Sequence, residues 1–219
     1  MNTKGHCYPK SIILQAVYFK LRFTLSYRDV EEIMKMRGVS VDHATIQRWV
    51  YKFTPLLESE MKKRKVRVGA SWRLDETYIK VKGIWCYLCR AVDKLGNTVD
   101  FFLTRKRQRM SAQSFLIKAI SNNYKPRVIN KSGSNTAAIK VYNKRSFSKV
   151  KIRQCKYLNN IVEQDHRFIK WRIQNGLGFK SFESARRTLS GIEVVHMLRK
   201  NQMIGHGTTM FKSFCKLEG

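Results

Sequence analysis

The run Ser71-Trp72-Arg73-Leu74-Asp75-Glu76-Thr77-Tyr78-Ile79-Lys80-Val81 mixes apolar and polar residues in alternation, with β-formers at most positions. That period predicts a strand. Successive side chains on a strand point to opposite faces, so Asp75 shares its face with neither Leu74 nor Glu76. Aspartate is disfavoured inside strands. A charge there either blocks edge-to-edge pairing or serves chemistry, and the residues around it must decide which.

Before this strand the pattern is helical. Ile12, Ile13, Ala16, Val17 and Leu21 follow one stripe between Ser11 and Phe23. Ser26-Tyr27-Arg28-Asp29 has the form of a capping box and opens a helix through Val30, Ile33 and Met34 that stops at Gly38. Asp42 caps a third helix, His43 to Val50, with Ile46, Trp49 and Val50 inward and Thr45, Gln47 and Arg48 more exposed. Two short helices around a Gly-containing turn have the punctuation of a helix-turn-helix, and a plain three-helix bundle shares the same core spacing. After Pro55, the basic run Met61 to Arg67 reads as a solvated linker that can also track phosphates through Lys62, Lys63 and Arg64.

After the strand come a turn at Lys82-Gly83, a second strand from Ile84 to Val92, a turn at 93–97 and a third strand from Thr98 to Thr104. A basic loop leads to a helix from Ser111 to Tyr124, a short strand over 126–130, a helix from Thr136 to Tyr142, a strand from Val150 to Cys155 and a helix from Ile161 to Ile173. Three antiparallel strands followed by strands alternating with helices make an α/β fold, a ribonuclease H-like mixed sheet with flanking helices, preceded by an all-α helix-turn-helix domain. Ser181 caps a last long helix, and residues 204–219 carry no clear period.

Composition narrows the partner. Lys and Arg number 44 against 15 acids, a net charge of +29 spread along the whole chain. Self-repulsion of this size opposes compactness unless a polyanion neutralises it, and ordinary hydrophobic content argues for a folded nucleic-acid binder. No stretch has the apolar length of a membrane-spanning helix, and no secretory signal follows the apolar run near the start. Cys7, Cys86, Cys89, Cys155 and Cys215 are odd in number and scattered, as expected of reduced cytoplasmic thiols. Cys86 and Cys89 fall on opposite faces of a predicted strand, which suits packing rather than zinc.

The acids are few enough to audit. Glu163 shares a helix stripe with Asn159, Asn160, Arg167 and Lys170. It is either a metal ligand near a phosphate backbone or half of an ordinary ion pair with Arg167. Between Asp100 and Glu163 there is no acidic residue at all.

Four passages resemble the DDE transposases of bacterial insertion sequences, the insertion sequence six family in particular. Ser26-Tyr27-Arg28 and Gly38-Val39 with Val41 to Trp49 resemble its helix-turn-helix. Asp75 to Val81, Trp85, Tyr87, Arg90-Ala91-Val92-Asp93 and Thr98 to Phe101 resemble its first catalytic strand and hairpin. Asn159 to His166 with Lys170 resemble the block around its last acid, and Leu177 to Ser181 with Gly191-Ile192-Glu193 its terminal helix.

The resemblance implies that Asp75 and Glu163 are the first and last catalytic acids and metal ligands. It implies two Mg2+ or Mn2+ ions in intact relatives, and metal-dependent cleavage and transfer of DNA strands. Double-stranded DNA, both terminal inverted repeats and target, is the implied partner, met by His43, Thr45, Gln47, Arg48, Lys62, Lys63, Arg64, Arg167 and Lys170. A homodimer or larger assembly at the bacterial nucleoid, in the cytoplasm, is implied too. The family's second aspartate should follow strand four, yet the chain reads Val128-Ile129-Asn130-Lys131-Ser132-Gly133. A small in-frame deletion at Asn130/Lys131 accounts for its absence and predicts impaired activity. The alternative is a non-catalytic DNA-binding remnant; a ribosomal type of basic protein has no need of the Asp75 and Glu163 blocks. The expected organisation is a helical region over 1–58, a basic linker over 59–70, a catalytic core over 71–175, a helix packing on that core over 176–204 and a tail over 205–219.

Overall fold

A computed structural model describes residues 7–131, 136–147, 149–154, 160–174 and 178–218. In chain order the elements are α1 (Lys10–Arg22), α2 (Tyr27–Met36), α3 (His43–Lys63), β1 (Ser71–Val81), β2 (Ile84–Asp93), β3 (Thr98–Thr104) and α4 (Arg109–Ser121). They continue with β4 (Val128–Lys131), α5 (Thr136–Arg145), β5 (Lys151–Arg153), α6 (Asn160–Gln174), α7 (Phe182–Arg199) and α8 (Met210–Cys215). The chain forms two compact units, one of residues 1–66 with 172–219 and one of residues 67–171. Among the described residues no helix is long and apolar enough to cross a membrane.

The first unit is helical. Ser26 Oγ accepts from the Asp29 amide at 3.0 Å while the Asp29 carboxylate accepts from the Ser26 amide at 2.6 Å, closing the capping box that starts α2. Asp42 caps α3 by accepting from the amide of Ala44 at 2.9 Å. The Glu31 carboxylate of α2 sits 2.8 Å from His43 Nδ1 and so ties α2 to the start of α3.

The third helix does not end at Val50 as expected but runs through Pro55 to Lys63, with Phe53, Leu57 and Met61 extending its buried stripe. Proline has no amide hydrogen to give the carbonyl four residues back. Here that carbonyl, on Tyr51, accepts instead from Arg187 Nη1 at 2.9 Å. Residues 59–63, expected as linker, are therefore the last turn of a helix.

Two further boundaries are corrected. The helix expected to pack on the core, α7, groups with the first unit and packs along α3. The approach is close at Gly191, where a Cβ would meet Leu21 Cδ2 at 2.5 Å and Thr54 Cγ2 at 3.1 Å. The expected tail holds α8, capped by Thr209 Oγ1, with Phe214 and the following Leu217 fully buried. Six residues are too few for a helical period to declare itself.

The second unit is a five-stranded sheet in the order β3-β2-β1-β4-β5. β1, β2 and β3 are antiparallel neighbours, whereas β4 runs parallel to β1 and β5 parallel to β4. This is the ribonuclease H-like mixed sheet. Lys82 and Gly83, at φ 48° and 81°, form the two-residue hairpin turn. That turn fixes the register: Leu74 faces Ala91, Asp75 faces Arg90 and Glu76 faces Cys89. Trp72, Leu74, Cys89, Ala91, Val99 and Ile129 pack under Phe115, Leu116 and Ala119 of α4 and Ile139 of α5. The opposite face carries Arg73, Asp75 and Thr77. Cys86 and Cys89 are buried in β2 without a disulfide, as packing residues should be, and Cys155 lies outside the described residues.

Candidate functional site

Asp75 is half-buried at the middle of β1, the central strand of the sheet, which excludes the edge-charge reading. The second residue at the site comes from α6. His166, buried, brings Nε2 to 3.3 Å from Asp75 Oδ2. Its neighbour Asp165 holds the fully buried Arg90 guanidinium at 2.7 Å. Because Arg90 is the cross-strand partner of Asp75, these two contacts pin α6 over β1 and β2.

Glu163 lies in the first turn of α6 with an exposed side chain, three residues ahead of His166. That spacing sets Glu163 and His166 on neighbouring stripes of one helix face. Arg167 and Lys170 are exposed further along α6. Asn159 is outside the described residues.

Asn130 and Lys131 of β4 pair with Arg73 and Leu74, the residues just before Asp75. Residues 132–135 are outside the described set, and none of them is acidic. Asn130 is buried and shares the face of Asp75. Its Nδ2 donates to Ser71 Oγ and to the Trp72 carbonyl, both at 3.3 Å, while its Oδ1 is buried without a hydrogen-bond partner.

The remaining acids of the sheet are already engaged. The Asp93 carboxylate accepts from the amides of Gly69, Leu95 and Asn97 at 2.8 to 2.9 Å and so builds the β2–β3 turn. Asp100 accepts from the Phe101 amide and from Asn122 Nδ2, both at 2.8 Å, and pairs with Lys118 at 3.2 Å. It lies opposite Ala91, on the face away from Asp75. Glu76 is on that other face too and pairs with Arg107 at 3.1 Å. Among the described residues the single cluster of three potential metal ligands is Glu31, Asp42 and His43, in the helical unit. Asp75, Glu163 and the buried amide oxygen of Asn130 are hard oxygen donors of the kind that suits a divalent cation of magnesium type.

The predicted DNA contacts are distributed differently from one another. Arg48 is exposed on α3, where its Nε also donates to the Ala44 carbonyl at 3.3 Å. His43, Thr45 and Gln47 are partly buried; Gln47 Nε2 donates to Tyr51 Oη at 3.3 Å. The basic run is tied up locally. Lys62 pairs with Glu58 and Lys63 with Glu60, each at 2.6 Å, and Arg64 Nη1 donates to the Lys216 carbonyl at 2.7 Å.

His166 and Arg90 were not singled out from sequence, although signals for both exist there. His166 follows Glu163 at helical spacing, and a two-residue turn at Lys82-Gly83 sets Arg90 across from Asp75 by counting alone.

The sheet carries an acid near the middle of its central strand, and a family model described as a DDE domain (DDE_Tnp_IS240) matches residues 69–202. The transposase for insertion sequence-like element IS431mec from Staphylococcus aureus strain Mu50 is 42% identical over 194 residues, which are 87% of this chain and 85% of that protein. The transposase for insertion sequence element IS257 in transposon Tn4003, also of Staphylococcus aureus, is 41% identical over the same shares. The chain belongs to the insertion sequence six family of DDE transposases. Among solved structures, the HTLV-2 integrase catalytic core domain in complex with magnesium is similar at a TM-score of 0.47, with 15% identity over 71% of this chain and 100% of that one.

Proposed function

We propose that this transposase binds the terminal inverted repeats of its element through α2 and α3, and that Asp75 and Glu163 are the surviving acids of an active site whose second aspartate has been lost. The absence of any acid between Asp100 and Glu163 carries this reading. It is supported by the engagement of Asp93, Asp100, Glu76 and Asp165 elsewhere. Asp75 and Glu163 would hold the divalent ion. When bound, such an ion supplies activation of the attacking oxygen and charge stabilisation on the leaving one.

The residues of this chain then have separable tasks. His166 and the Arg90–Asp165 pair orient Asp75 and α6. Arg167 and Lys170, exposed on α6, steady the DNA phosphates. Arg48, with His43, Thr45 and Gln47, meets the DNA from α3. The assembly is a dimer or larger, working on nucleoid DNA in the cytoplasm.

A neutral amide in place of a carboxylate leaves the site one negative charge short. A loss of about 4 kcal/mol of transition-state stabilisation slows strand transfer by roughly a thousandfold. Strand transfer on terminal inverted-repeat DNA with Mg2+ or Mn2+ tests this. The chain as it stands should give little or no product, and inserting Ile-Asp after Asn130 should raise the rate by about three orders of magnitude. Robust cleavage by the unaltered chain sinks the reading.

The same gap in acids favours a second reading, a DNA-binding protein that occupies element ends without cutting them. It requires tighter binding to one terminal repeat than to scrambled duplex of equal length. Uniform, salt-steep binding to both would reduce it to generic affinity.

A further inference from the structure

The tip of the β1–β2 hairpin carries a group of side chains that the active-site reading does not use. On the face opposite Asp75, Tyr78 pairs across the strands with Tyr87, and Lys80 with Trp85. Tyr78 is 50% exposed and Trp85 55%. The Tyr78 and Trp85 rings meet edge to face with centroids 6.2 Å apart, and the Tyr78 and Tyr87 rings lie 5.3 Å apart. Cations are interleaved with them. Lys80 Nζ is 5.7 Å from the Trp85 ring centre, and the Arg107 guanidinium is 5.9 Å from that of Tyr78 while donating to its hydroxyl at 3.1 Å.

Cross-strand aromatic pairs also steady hairpins. This hairpin, however, is already anchored by its other face, where Ile79, Val81, Cys86 and Leu88 are buried. Leaving an indole and a phenol half in water beside cations is therefore not required by folding. It is the arrangement that stacks nucleic-acid bases, with aromatic planes for the bases and cations for the backbone.

We infer that Tyr78, Trp85 and Tyr87, with Lys80 and Arg107, form a stacking platform for unpaired bases of single-stranded DNA. The inference rests on the DNA-transposase reading above and adds to it the strand form that this face takes. Charge selects the occupant. Lys80, Lys82, Arg105, Lys106 and Arg107 are all exposed around the hairpin and the segment after β3, and Glu76, an acid of the platform face, is held by Arg107. A second copy of a chain with net charge +29 would be repelled, whereas a polyanion is drawn in. Half-exposed ring faces reward a base free of its partner, because a paired base in a duplex has no free face to offer.

The test uses the full chain and two probes, a short oligothymidylate and the terminal-repeat duplex. Trp85→Ala and Tyr78→Ala should each weaken oligothymidylate binding by roughly tenfold. Trp85→Phe should keep most of it, and none of the three should alter duplex binding. A chain carrying only Trp171→Phe has Trp85 as its one exposed tryptophan among described residues, since Trp49 and Trp72 are buried. Its emission should be quenched by oligothymidylate, a readout that does not depend on a variant of the platform folding. Absence of quenching, or a Trp85→Ala chain that binds oligothymidylate as the parent does or loses both probes equally, overturns the platform. Loss of duplex binding by the parent chain would instead overturn the reading of α2 and α3.

Discussion

Arg90 has no exposed surface, and its guanidinium depends on Asp165 of α6 at 2.7 Å. Removing one member of such a pair strands a buried charge, whereas replacing both with apolar groups is far less costly. Asp165→Ala should therefore destabilise the protein by about 3–5 kcal/mol, and Arg90→Met combined with Asp165→Leu should recover most of that loss. Urea unfolding of the two variants decides it. A double variant no more stable than Asp165→Ala would mean that the pair does more than neutralise itself. Because Asp75 faces Arg90 and touches His166, the same pair also sets how β1 presents its acid to α6.

At the scale of elements, α3 and α7 depend on each other through one carbonyl. Pro55 leaves the Tyr51 carbonyl without its helical donor, and Arg187 of α7 supplies one. Arg187→Ala should cost about 1–2 kcal/mol in the parent and measurably less in a Pro55→Ala background, where an amide hydrogen is restored. A double-mutant cycle on unfolding midpoints reads that coupling, and strict additivity would refute it. Nearby, hydrogen bonds from Arg186 and then Arg187 hold the Glu183 carboxyl at about 2, well below its ordinary range. A carboxyl depressed in the folded state adds stability that is complete above its unfolded pKa and is lost as pH falls toward the folded value. The stability gap between parent and Glu183→Gln should thus be constant near neutrality and close between about pH 4.5 and pH 2. A gap that persisted at pH 2 would show that these arginines do not act through the charge.

For the whole molecule, a net charge of +29 in a folded chain is a standing electrostatic load. Any polyanion that binds the native state raises the melting temperature by mass action. Terminal-repeat duplex should do so strongly at low salt and weakly at high salt, because the affinity rests on released counterions. Thermal melts with and without duplex across a salt series measure it. A duplex effect independent of salt would argue for recognition that does not run through phosphates.

Local rules sufficed wherever the determinants were contiguous. The strand around Asp75, the hairpin turn, the capping box at Ser26 and the α/β order are all written in near-neighbour residues. So is the lack of any acid between Asp100 and Glu163, which can be read directly. Tertiary structure decided what depends on distant partners. The donor that the Tyr51 carbonyl finds in place of an amide at Pro55 lies 136 residues away, on α7. Only the fold engages Asp93 and Asp100 as turn and strand supports and brings His166 to Asp75. Helix periodicity reports which face is apolar, not which unit will bury it, so α7 could be recognised as a helix but not assigned its neighbours.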